Sequence, residues 1–182
     1  MLAASGIPVS AGDLEEDIKG LVSKRIVIAT VGLVAGGVTL QLALGQQTRS
    51  FAAQYLEGTT QQKQRAFSPA VITQGGKTVW LAGQTATEDL NHKSIVGDFD
   101  GQTRTVFALI DETLKRAGGS LRNMVSMTVF INDPRNGDRF IELRRQMFPD
   151  GKYPASALIT VSNFARPGIL LEVQGVAVIA EK

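Results

Sequence analysis

The chain has no cysteine and only one histidine, His92. Disulfides, thiolate metal sites and a cysteine nucleophile are therefore excluded together, and a single imidazole leaves little for a metal cluster. The lack of cysteine fits both reducing and oxidising compartments and places the protein in neither. Neither sign of charge prevails: 19 Lys and Arg face 17 Asp and Glu, a formal net charge of +2, and they are scattered along the chain. No basic stripe with interleaved aromatics is present, which argues against a nucleic-acid partner. There is no phosphate-cradling loop either, because Gly75-Gly76 separates two short apolar runs and does not lead into a helix. What is present is 182 residues with 43% hydrophobic content, enough for one real core and an accessory segment.

The accessory segment is N-terminal. Ile26 to Gly45 reads IVIATVGLVAGGVTLQLALG, uncharged and interrupted only by Gln41. It is about as long as the roughly 20 residues that cross a bilayer core. Lys24 and Arg25 precede it, and Ala43-Leu44-Gly45 puts small residues where a signal is cleaved. Gly32, Gly36 and Gly37 would each weaken a soluble helix by roughly 1 kcal/mol. A signal-like or membrane-anchor segment over 1–45 follows, making the protein exported or periplasmic, with membrane contact only through 26–45 if uncleaved. The acidic run Asp13-Leu14-Glu15-Glu16 supports the alternative, a packed N-terminal helix on a cytoplasmic protein. Residues 46–65 are polar and rich in Gln and Thr, and read as a tether with at most a helical turn or two.

Residues 66–182 carry the periodicity of a folded domain. Ala70–Gln74 and Thr78–Ala82 flank Gly75-Gly76-Lys77, the chemistry of a tight hairpin. Asp98 or Asp100 can cap a helix to Ala117, with Val106, Leu109, Ile110 and Leu114 as its apolar stripe and Gly118-Gly119 as its stop. Met124–Ile131 is apolar on both alternating faces, like a central strand, and Asn132-Asp133-Pro134 ends it. A helix over Gly137–Phe148 turns Phe140, Leu143, Met147 and Phe148 inward. Strands near 157–162 and 170–179 close the domain around the turn Ala165-Arg166-Pro167-Gly168. The order is ββαβαββ, with room for a short extra strand in the 85–97 loop. It predicts an α+β domain, a mixed sheet with two helices on one face.

A series of segments then falls in register with one family: Phe67-Ser68-Pro69-Ala70-Val71, Val79-Trp80-Leu81-Ala82-Gly83-Gln84, Gln102-Thr103-Arg104, Ala117-Gly118-Gly119-Ser120-Leu121, Thr128-Val129-Phe130-Ile131-Asn132-Asp133, Tyr153-Pro154-Ala155-Ser156 and Leu171-Glu172-Val173. Residues 66–182 resemble the Rid family, also called YjgF or L-PSP. The resemblance implies a chorismate-mutase-like fold, a homotrimer, and ligand clefts between subunits. It also implies cofactor-independent hydrolysis of reactive enamines and imines to a carbonyl compound and ammonia. Glu172 matches the glutamate that holds or activates water. Gly83 matches a backbone contact to the ligand, and Phe67 falls where a tyrosine is common.

One departure bears on substrate. Where the family's deaminases carry a carboxylate-binding arginine, this chain has Ser156, which offers one donor and no charge. Leu158 replaces a usual cysteine or threonine and makes that wall more apolar. The bland reading of Glu172 is a structural partner of an arginine or a backbone amide, and that of Ser156 a strand-end cap. Gly83 could equally close a strand with a bulge. Arg104 and Arg166 are the remaining candidate cleft cations, and His92 reads as a solvated loop residue. Three functions stand: imine or enamine deamination using Glu172 and Ser156, small-ligand binding without turnover, and, least supported, ribonuclease action. No cofactor and no metal are expected.

Overall fold

The computed structural model describes residues 51–181. The apolar stretch at 26–45 lies outside the described residues, and so does the choice between a signal and a packed helix. Among the described residues no helix is long and apolar enough to cross a membrane.

Strands β1 (Ala52–Tyr55) and β2 (Val71–Gln74) form a small antiparallel ribbon, with helix α1 (Thr60–Gln64) between them. The remaining elements are β3 (Lys77–Gln84), α2 (Phe99–Arg116), β4 (Met124–Ile131), α3 (Gly137–Met147), β5 (Ala155–Thr160) and β6 (Leu171–Ile179). They build a four-stranded mixed sheet in the order β3-β6-β4-β5, in which only β4 and β5 run parallel. The α+β class and the mixed sheet follow the expectation from periodicity.

Two expectations need correcting. The hairpin drawn across Gly75-Gly76 does not form: β2 pairs with β1, Tyr55 opposite Val71, while β3 pairs with β6 in the other sheet. Gly75 and Gly76, at φ 69° and 77°, do reverse the chain, but they hand it from one sheet to the next. The run Leu171–Ile179 is a longer and more apolar partner for β3 than β2 could be. The stretch read as a tether carries a strand as well as the helical turn. Ala53 and Tyr55 alternate inward, and the Tyr55 hydroxyl donates to the Met124 carbonyl at 3.4 Å. A capping box, Thr59 with Gln62, starts α1.

Helix α2 begins as its sequence signals, with Asp98 Oδ1 accepting from the Gly101 N–H at 2.9 Å, and ends before Gly118 at φ 91°. Val106, Phe107, Ile110 and Leu114 of α2 and Phe140 and Leu143 of α3 bury against Met127, Val129 and Ile131 of β4 and Leu171 and Val173 of β6. The core therefore lies between two helices and one face of the sheet. The other face stays partly open in the single chain: Trp80 on β3 is 80% exposed, and Gln174 on β6, Ser126 on β4 and Ile159 on β5 are exposed across the same face. The two-sided apolar pattern of β4 is thus covered on one side only.

Two loops are tied to α2 by one buried side chain. Gln102 Nε2 donates to the carbonyls of Ile95 at 3.1 Å and Gly168 at 2.7 Å, and its Oε1 accepts from the Leu170 N–H at 2.8 Å. This latch fixes the entry to β6. The loop over 85–97 holds a single bridge, Glu88 with Ser94, where a short strand had room. His92 is solvent-exposed there, its Nδ1 3.7 Å from Glu88.

Candidate functional site

The candidate residues gather at two places, and the first is the junction of β3 and β6. The pairing of these strands skips between Leu81, opposite Gly175, and Gln84, opposite Val173. Gly83 sits in this bulge, and a Cβ built on it would lie 1.9 Å from Glu172 Oε1. The Glu172 carboxylate occupies the space a side chain at 83 would need, so glycine here serves close approach. Glu172 is flanked by the buried Leu171 and Val173, which face the helices, so its own side chain points to the open face. Among the described residues it makes no ion pair and no hydrogen bond.

The second place is β5. Ser156 pairs with Met127, which is 1% exposed, so Ser156 is directed to the helix side of the sheet. There the Arg144 guanidinium of α3 donates from Nη1 to Ser156 Oγ at 2.7 Å and from Nη2 to the Arg65 carbonyl at 2.6 Å. Arg144 is 2% exposed, its Nε has no acceptor among the described residues, and its Cζ stands 5.2 Å from the centre of the Phe140 ring. Burial, with the neighbouring charge of Arg65, pushes its pKa down to about 10. Arg144 is the residue that sequence reasoning missed. Its signal was helical spacing, because it follows the inward Phe140 by four positions.

Phe67 lies alongside, half-buried, immediately before Ser68, which bridges Ala155 and donates its N–H to Pro154 at 3.3 Å. Leu158 packs against the core, its Cδ2 3.7 Å from a Cβ built at Gly137. The structure thus sets Gly83 against Glu172, and through the Ser68–Ala155 bridge places the segment of Phe67 beside the start of β5, but keeps the two groups apart. Ser156 and Glu172 stand two strands apart on opposite faces, with backbones on the order of 14 Å from one another by strand spacing. Arg104 reaches Gln146 at 3.1 Å on the surface, and Arg166 is exposed in its loop. Among the described residues no group of three His, Asp or Glu could hold a metal ion.

These features define a small α+β domain that presents a carboxylate with no partner among the described residues on the inner strand β6, and a hydroxyl backed by arginine on the edge strand β5. The family model for Endoribonuclease L-PSP matches residues 59–179. A RutC family protein of Pyrococcus horikoshii is 28% identical over 102 residues, 56% of this chain and 79% of the relative. Among solved structures, a Rid family protein of unknown function from Yersinia pestis is similar with a TM-score of 0.59 and 27% identity, covering 70% of this chain and 98% of that one. RidA from an Antarctic Psychrobacter is similar with a TM-score of 0.52 and 27% identity, over 62% and 88% of the respective chains. The chain belongs to the Endoribonuclease L-PSP family, the Rid or YjgF proteins, and the family supports a role with small molecules.

Proposed function

We propose that the protein hydrolyses a small imine or enamine without a cofactor, in a cleft completed by a neighbouring copy within a homotrimer. The observation that carries this reading is the Glu172 carboxylate, without a partner among the described residues and held over Gly83 at the β3/β6 bulge. A carboxylate so placed can accept a proton from water as the water oxygen bonds to the imine carbon. The C=N electron pair moves to nitrogen, which takes up a proton. Collapse of the resulting carbinolamine breaks the C–N bond, releasing ammonia and leaving a carbonyl compound. Gly83, bare of a side chain, lets the Glu172 carboxylate lie against the β3 backbone, and Phe67 with Ser156 supplies the opposite wall from the next copy. The separation of the two residue groups supports division of the cleft between chains, since one small molecule cannot span both in one chain.

Ser156 favours a second reading, capture of a small ligand without turnover, because it lacks the charge that would clamp a carboxylate directly. Ammonia release from freshly generated imines and enamines, with and without carboxylates, separates the two. Turnover that Glu172→Ala abolishes, with the oligomer intact, is the expected result. An active Glu172→Ala variant would overturn the mechanism, and no turnover across the panel would favour the binding protein.

A further inference from the structure

We infer that Arg144 is a positioning residue that fixes Ser156 as a hydrogen-bond donor, so that the ligand group seated against β5 is an oxygen acceptor, a carboxylate or carbonyl, and not an amine or ammonium. The inference rests on the reading above, that β5 lines the cleft, and assigns the chemistry of that wall. A buried arginine ordinarily sits against a carboxylate, because a desolvated cation is costly without a counter-charge. Arg144 has none among the described residues. Its partners are a hydroxyl, the Arg65 carbonyl and the Phe140 ring. The charges that bear on it are those of Arg65 and Arg145, both of the same sign, with Tyr153 the remaining titratable neighbour, and Arg65 itself stands 3.6 Å from Asp138.

A guanidinium can only donate. Ser156 Oγ therefore accepts from Nη1, and the single hydroxyl proton must be directed elsewhere. No acceptor for that proton exists among the described residues, and Ser156 is only half-buried on an edge strand. The hydroxyl proton is thus left for a ligand that reaches the edge of β5, with a full positive charge 2.7 Å behind its oxygen. Hydrogen bonds assisted by an ionised partner are the stronger class, and the polarised O–H will favour an oxygen that carries negative charge. An ammonium at the same place would meet a donor with the Arg144 cation directly behind it. The arginine that a side chain at 156 would have supplied directly is supplied through the hydroxyl, from the next helix.

The test is a titration of the full-length oligomer with pyruvate, pyruvamide and isopropylammonium, followed by NMR. Pyruvate and pyruvamide should bind and isopropylammonium should not. Ser156→Ala should weaken both oxygen ligands about tenfold. Arg144→Met should weaken pyruvate more than pyruvamide, a charge signature that a purely structural role would not produce. Arg144→Met combined with Ser156→Ala should bind no worse than Ser156→Ala alone. Unchanged pyruvate affinity in either single variant, or additive losses in the double variant, would overturn the inference. If Arg144→Met does not fold, two readings decide: Ser156→Ala affinity, and the pyruvate-induced shift of the Arg144 Nε–H resonance in the unaltered protein. A null in both overturns the proposal. Ammonia release reads the deaminase separately: turnover without this selectivity sinks only the role of Arg144, and selectivity without turnover sinks only the catalysis.

Discussion

Arg144 and Ser156 are joined by a 2.7 Å hydrogen bond that crosses from α3 to β5. It puts a positive charge directly behind the position where the resemblance to Rid deaminases calls for an arginine side chain. The space at 156 is therefore chemically committed, and charge cannot simply be added to it.

Ser156→Arg should consequently destabilise the protein, by about 2–4 kcal/mol, because a second guanidinium would be brought against one that is already buried and without a counter-charge. Adding Arg144→Leu to the same chain should recover most of the loss. Urea unfolding of the two variants checks the pair, and equal stability of Ser156→Arg and the unaltered chain would count against this account.

Gly83→Ala should separate function from folding. The new methyl meets only the far end of a flexible side chain, 1.9 Å from Glu172 Oε1, and the carboxylate can swing away. A stability change below about 1 kcal/mol is expected, with turnover falling about a hundredfold, the scale of a misplaced general base. Melting temperature and steady-state ammonia release are the two measurements.

Gln102→Leu removes three hydrogen bonds of a fully buried side chain, one buried and two partly buried, and strands the Ile95 and Gly168 carbonyls and the Leu170 N–H. The cost should be about 3 kcal/mol, since unsatisfied buried groups are dearer than the bonds themselves. Amide exchange should accelerate first at Leu170, where the latch holds the start of β6.

Acid should act through the contact between the helices. Arg139 donates to Asp100 from Nε at 2.9 Å, and this hydrogen bond holds the carboxyl below its ordinary value of 3.8. A depressed folded pKa contributes stability above the unfolded value and loses it as the pH falls through the folded one. Asp100→Asn should therefore leave stability flatter below about pH 4 than in the unaltered chain. Thermal melts from pH 2 to pH 6 would show it, and identical acid limbs would exclude a role for the pair.

Local signals carried much of the fold. Asp98 and Gly118 bound α2 within a residue of where capping chemistry puts them, and the alternation of Met127, Val129 and Ile131 fixes the buried face of β4. The exchange of partners by β2 was not legible, because Gly75-Gly76 serves a hairpin or a crossing between sheets equally well, and only the length of β6 decides. Glu172 and Gly83 were readable from motif, but their contact depends on a register skip set by distant residues. Arg144 was hidden because a charged residue in an amphipathic helix is read as outward. The face of Ser156 was hidden because pairing with Met127 determines it.

On the proposed reading, the placement of Glu172 and Ser156 on different strands and different faces would divide the site between neighbouring chains. Two inactive versions, one lacking Glu172 and the other spoiled at β5, would each retain the half that the other has lost. Unfolded together and reassembled, such chains should regain a fraction of the activity that neither has alone, as complementing alleles do.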